Sequence, residues 1–267
     1  MLVKPSAVFI AVAATFSSTC IYAATYNEAI IAAGKDNVVR KTDQNIIINV
    51  AHGDDAVLAH NGGHVVLGGE QTGTITINSE AGFDAVSALT NDKAGTRGTK
   101  VDITASESVV ITSTAHGLWG QSGTQQTDSP VGSATLNITA KEISIYSAKS
   151  SIIAYSNSIV NLTADRIVLN SQTGKAIDVR GNSTVNLGNG TAVLTINGDI
   201  VFNTPNQVPD GDSVNSGDII NAYVKLNLTE GSTWTGRAYQ SFPVKNAEGE
   251  WVQNNTVALK DDRHQNY

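Results

Sequence analysis

The sequence predicts an all-β fold, a right-handed parallel β-helix: a three-strand solenoid of about five to six rungs with a polar C-terminal tail. Three observations predict it. A short signature recurs along the chain, two further short strands follow each copy, and the composition replaces charge with hydroxyl, amide and glycine groups. The 267 residues include 27 Thr, 24 Asn and 24 Gly, with 15% charged residues where an ordinary soluble domain carries about 25%. Abundant Thr, Val and Ile favour strands over helices.

The signature has an aliphatic at its second position and mostly small residues at its first and fourth. Its copies are Ala56-Val57-Leu58-Ala59, Ala85-Val86-Ser87-Ala88, Gly117-Leu118-Trp119-Gly120, Ser151-Ile152-Ile153-Ala154 and Ala176-Ile177-Asp178-Val179. A second set of strands pairs Val65 with Leu67, Val101 with Ile103, Leu136 with Ile138, Val160 with Leu162 and Val185 with Leu187. A third pairs Ile75 with Ile77, Val109 with Ile111, Ile143 with Ile145, Ile167 with Leu169 and Leu194 with Ile196. The residue between each pair is mostly Thr, Asn, Asp or Ser, which is the alternation of a half-buried strand. Strands of four or five residues bury no core alone, so successive units must stack and pair backbone to backbone. A sandwich of short antiparallel strands would alternate in the same way, and the threefold unit disfavours it.

Residues 1–23 read as a signal peptide: Lys4 gives a positive start, Ala7 to Phe16 an apolar core, and Ile21-Tyr22-Ala23 a small-residue cleavage site. The single Cys20 falls inside it, leaving a mature chain with no disulfide and 16 basic residues against 24 acidic. Residues 24–52 are expected to cap the first rung, residues 53–240 to form the repeat domain, and residues 241–267 to be an irregular tail. A net charge of −7 and a pI near 5.1 disfavour a nucleic-acid partner, which would require a basic face.

The stacked strands, together with Leu226-Asn227-Leu228-Thr229-Glu230-Gly231-Ser232-Thr233-Trp234-Thr235-Gly236, resemble the passenger domain of a Gram-negative autotransporter, the type V secretion family. The resemblance covers about residues 45 to 240. It implies export across the inner membrane, a place at the cell surface or outside the cell, and a C-terminal translocator β-barrel. About thirty residues follow Gly236, and none repeat as barrel strands would, so the chain reads as a passenger fragment, the product of a truncated gene, or a β-helix exported by another route.

The repeat lengthens at Asn91–Thr99 and at Gln121–Ser133, both between the first and second strands of a unit. Insertions at one step project from one corner of a stack. Beside them runs the third signature position: Leu58, Ser87, Trp119, Ile153 and Asp178. Trp119, Leu58 and Ile153, with Arg97 and Gln121 from the inserted loops, are the candidate contact residues for a surface glycan or protein. Self-association is a further expectation.

No cofactor, metal or catalytic residue is expected. His52, His60, His64 and His116 cluster in sequence but lack the cysteine or carboxylate partners of a zinc site, so they read as solvated. Gly211-Asp212-Ser213-Val214 resembles the nucleophile motif of GDSL-type esterases, and Asp261-Asp262-Arg263-His264 has the matching Asp-x-x-His spacing. No α/β scaffold lies between them to hold a base and an oxyanion hole. A glycan lyase or hydrolase needs carboxylates or bases converging on one bond, and Asp84, Asp102 and Asp178 fall on separate layers. The reading is therefore a non-enzymatic adhesin or aggregation factor, with a passive stalk or a glycan-cleaving enzyme as alternatives.

Overall fold

The computed structural model describes residues 22–240 apart from 81, 91–97, 123–133, 156, 182 and 204–221, together with 244–245, 248, 251–252 and 256–261. Residues 91–97 of the first inserted loop, with Arg97, residues 123–133 of the second, the Ser213 loop, His264 and most of the signal segment lie outside the described residues.

The chain enters through β1 (Ala23–Tyr26), β2 (Ile30–Ala33), β3 (Val38–Lys41) and β4 (Asn45–Val50). It continues through β5 (Val57–His60), β6 (His64–Gly68), β7 (Thr74–Ser79), β8 (Val86–Thr90), β9 (Lys100–Thr104) and β10 (Ser108–Ser113). Next come β11 (Leu118–Ser122), β12 (Thr135–Thr139), β13 (Glu142–Ser147), β14 (Ile152–Tyr155) and β15 (Ile159–Thr163). The 15-residue β16 (Arg166–Arg180) is followed by β17 (Thr184–Leu187), β18 (Val193–Asn203), β19 (Tyr223–Leu228) and β20 (Thr233–Thr235). Finally come β21 (Ala238–Gln240), β22 (Val244–Lys245), β23 (Trp251–Val252) and β24 (Thr256–Asp261).

The protein is all-β and its large sheets are parallel, but the predicted three-strand solenoid of five to six rungs is corrected. The strands form two large sheets. The first has 14 strands, and its main path runs β1-β4-β7-β10-β13-β16-β14-β11-β8-β5-β2, curling back on itself at β16. The second, separate sheet has eight strands in the order β24-β19-β17-β15-β12-β9-β6-β3. The sequence reading ends one strand at Leu169 and starts another at Ala176. β16 instead runs on through 170–175, turning at Gly174 (φ 84°) with register shifts against β18 between Asn170 and Ile177. It pairs with β13 through Arg166–Ser171 and with β14 through Ile177–Arg180. That unbroken strand makes two expected faces one sheet.

The ends also carry strands. Residues 24–52 supply most of β1 and all of β2 to β4, with β1 paired to β4, β2 to β5 and β3 to β6. Residues 256–261 form β24, which pairs in parallel with β19. Among the described residues only β22 and β23 pair antiparallel.

Register follows the aliphatic pairs. Val65, Val101, Leu136, Val160, Val185 and Val224 are successive partners across the second sheet, and all are buried. Ile77, Ile111, Ile145, Leu169 and Ile196 align likewise in the first. These columns meet in one apolar core. At Gly117 the small first residue of the signature has a steric cause. A Cβ on Gly117 would strike the Ile145 side chain and sit 2.7 Å from the Ser151 carbonyl oxygen, so this position abuts both the third strand and the next layer.

Buried serines at the ends of the third-set strands hold the turn into the next signature. The Ser79 and Ser113 hydroxyls both donate to the Phe83 carbonyl, at 3.0 and 3.1 Å. Two layers along, Ser147 and Ser171 both donate to the Lys149 carbonyl, at 2.9 and 2.6 Å. A turn with its carbonyls satisfied in this way satisfies backbone groups that strand pairing leaves over.

Candidate functional site

Trp119 sits on β11 in a register line of Leu58, Ser87, Trp119, Ile153 and Asp178. Leu58 and Trp119 are half-buried. Ser87 is 0% exposed and Ile153 and Asp178 are 3% exposed, so this line is not the continuous apolar surface that the sequence suggests. Ile153 is packed away, and Arg97 lies outside the described residues.

What surrounds Trp119 comes instead from two positions further along each strand, where Leu89, Gln121, Tyr155 and Arg180 are register partners. The Trp119 indole N–H donates to the Gln121 side-chain oxygen at 3.0 Å. Tyr155 meets Trp119 edge-on at 6.0 Å between ring centroids, and the Arg180 guanidinium stacks 3.9 Å from the centre of the Tyr155 ring. Arg180 Nε lies 3.6 Å from the buried Asp178 carboxylate. Burial raises the Tyr155 hydroxyl above its ordinary value, Asp178 adds to the rise, and Arg180 opposes it. The sequence pattern contained this line, because each of these residues immediately follows a signature copy.

Below Trp119, the turn residues form a chain running across layers. The Asp84 N–H donates to Asp55 Oδ1 at 2.9 Å, the His116 N–H to Asp84 Oδ1 at 3.0 Å, and the Ser150 N–H to His116 Nδ1 at 3.1 Å. The His116 ring packs edge-on to Trp119 at 5.5 Å. An accepting Nδ1 requires the neutral imidazole, and burial, aided by Lys149, pushes His116 down to about 4. Burial first and Asp55 second push Asp84 up to about 7. His116 is thus a packed, hydrogen-bonded side chain, contrary to the solvated reading.

A second polar line crosses the other sheet. Asp102 Oδ2 lies 2.8 Å from His64 Nε2 and 2.8 Å from Lys100 Nζ. Its other oxygen accepts from Asn137, which accepts from Asn161, which accepts from Asn186, each at 2.8 Å. Amide dipoles in such a one-way chain reinforce one another and end on the carboxylate. Burial raises the Asp102 carboxyl, but hydrogen bonds from Lys100, Asn137 and His64 outweigh it and hold the group below its ordinary range. His64 is therefore paired with Asp102, contrary to the solvated reading. Aligning Val65 with Val101 already brings His64 beside Lys100 and Val66 beside Asp102.

Among the described residues no three of His, Cys, Asp and Glu come together as metal ligands. The arrangement around Trp119 offers an aromatic pair, an amide, a guanidinium and a carboxylate on adjacent strands, a set suited to recognition by stacking and hydrogen bonding. No family model, curated protein or solved structure matches the chain.

Proposed function

We propose that the protein is an exported, non-enzymatic surface protein of the adhesin or aggregation type, which binds a glycan or protein through the face around Trp119. One observation carries the reading. Trp119 and Tyr155 are half-buried aromatics held edge to face on neighbouring strands, with Arg180 and Gln121 fixed against them. Rigid aromatics with one edge in solvent bring contact area at little entropic cost, which favours binding. The signal-like N-terminus and the resemblance to autotransporter passengers support export and a place at the cell surface.

The test is binding of the protein to an array of glycans and matrix proteins beside Trp119→Ala. Saturable binding that the variant weakens at least tenfold is the expected result. Truncating a central aromatic anchor removes ~2 kcal/mol or more of binding energy. Binding unchanged by the variant would move the contact elsewhere, and binding to nothing on the array would favour a passive stalk.

A further inference from the structure

We infer that the Trp119 face takes a carboxylate-bearing polysaccharide, a uronate polymer lying across successive strands of β11, β14 and β16. The inference rests on the proposed binding role of this face and adds the class of ligand. It begins with charge. The chain carries a net charge of −7, yet the exposed charges beside Trp119 on its β14–β16 side are cations. Lys149 and Lys175 are exposed, and Arg180 is partly so. Lys149 precedes Ser150, whose N–H caps His116, and Lys175 stands two residues before Ile177, the register partner of Ile152. The lysines therefore lie one layer apart at the corner beneath Trp119, and Lys175 itself pairs in register with Asp199 of β18.

The acids of the same corner are turned to structural use. Asp55 and Asp84 accept backbone N–H groups, and Asp178 is buried against Arg180. Asp199, the register partner of Lys175, accepts the Arg237 N–H and pairs with its guanidinium. Exposed Asp54 occupies the corner position equivalent to Lys149 but three layers away. A carboxylate arriving at Lys149 and Lys175 therefore meets cations first.

Apolar surface accompanies the charge. Phe83, 42% exposed, projects from the turn next to Asp84, on the same corner as His116 and Trp119. Sugar rings present C–H faces to such aromatics, whereas a phosphate or nucleic-acid backbone would call for a broad basic surface that this acidic chain lacks. The corner is also preorganised. The backbones of Phe83 and Lys149 are each fixed by two buried serine hydroxyls, so little order is lost on binding. Repetition of the layers at about 4.8 Å lets a polymer engage several of them at once, which raises avidity without any single strong contact.

The experiment measures binding of the intact protein to polygalacturonate and to the same polymer fully methyl-esterified, which keeps the sugar faces and removes the charge. Expected are saturable binding to the acid form, at least tenfold weaker binding to the ester, and weakening of the acid-form affinity as salt rises. The double variant Lys149→Glu/Lys175→Glu, altered only at exposed side chains, is expected to lose at least tenfold for the acid form while melting like the parent. Equal binding of acid and ester, an unchanged double variant, or no binding to either polymer would overturn the inference. Trp119→Ala, tested against whichever ligand binds, separates the two claims. If it abolishes binding while the charge reversal does nothing, the face is right and the uronate assignment wrong. If it changes nothing, the face itself is wrong.

Discussion

His116 and Asp84 show how one residue's environment can set a property of the whole protein. In the fold Asp84 holds its proton up to about 7, because burial and the neighbouring Asp55 disfavour its charged form. In the unfolded chain it releases that proton near its ordinary value of 3.8. The native state thus binds more protons across this window, and stability falls as pH rises towards and through 7. His116 works in the opposite sense. It stays neutral in the fold down to about 4, whereas the unfolded chain takes up a proton below 6.5, so its contribution is lost as pH drops from 6.5. The two oppose each other between about 4 and 6.5 and leave Asp84 alone above that. Asp84→Asn keeps an oxygen to accept the His116 N–H and removes the titration. Thermal melts between pH 6.5 and 8 are expected to decline for the parent, to run flat for the variant, and to favour the variant at pH 8. A variant that declines like the parent would contradict the assignment.

At the scale of strands, Gly117, the one glycine at the first position of the signature copies, separates a packing rule from a mere sequence habit. Gly117→Ala would press a methyl group into Ile145 and the Ser151 backbone, and backbone cannot yield as a side-chain tip can. The expected cost is ~1–3 kcal/mol in urea unfolding. Gly120→Ala, whose nearest neighbours are Ser158 side-chain atoms at 3.1 and 3.3 Å, is expected to cost less. Equal costs would mean that the small first position is not dictated by the next layer.

Strands are also where the sequence was most legible. Pairs such as Val101 with Ile103 and Leu136 with Ile138 gave both the strands and their register, because inward aliphatics in adjacent layers must lie over one another. Continuity of β16 was not legible, since Gln172-Thr173-Gly174 has turn composition and the backbone does turn at Gly174 (φ 84°), while its flanks pair with β13 and β14. Nor were β1 and β3, which lack the repeated signature, whereas β2 follows from Ala29-Ile30-Ile31-Ala32, a further copy of it in register with Ala56-Val57-Leu58-Ala59. Trp119 is visible as an outward aromatic, but its partners Tyr155 and Arg180 fall one residue past the four-residue signature, where no residue type recurs to mark them. Ile153 has the composition of a surface apolar group in the alternation, yet it is buried beside Trp119 and Asp178. Alternation along one strand cannot show what a neighbouring side chain covers.

For the molecule as a whole, two parallel sheets around a single apolar core leave long, regular outer faces that differ in chemistry. The face of the eight-stranded sheet carries the Asp102–Asn186 line, whose amides are spent on one another. The limb of the first sheet formed by β8, β11, β14 and β16 carries aromatic rings and a guanidinium, with lysines at its corner. If the protein acts by binding, these faces should not be equivalent, and that asymmetry is the central claim.

Amide hydrogen exchange on the intact protein, with and without saturating polygalacturonate, tests it most directly. Added protection is expected over 116–121, 149–155 and 175–180, with 100–104, 135–139 and 159–163 unchanged. Protection confined to the second group, or no protection where binding is saturated, would contradict the assignment of the Trp119 face as the contact surface.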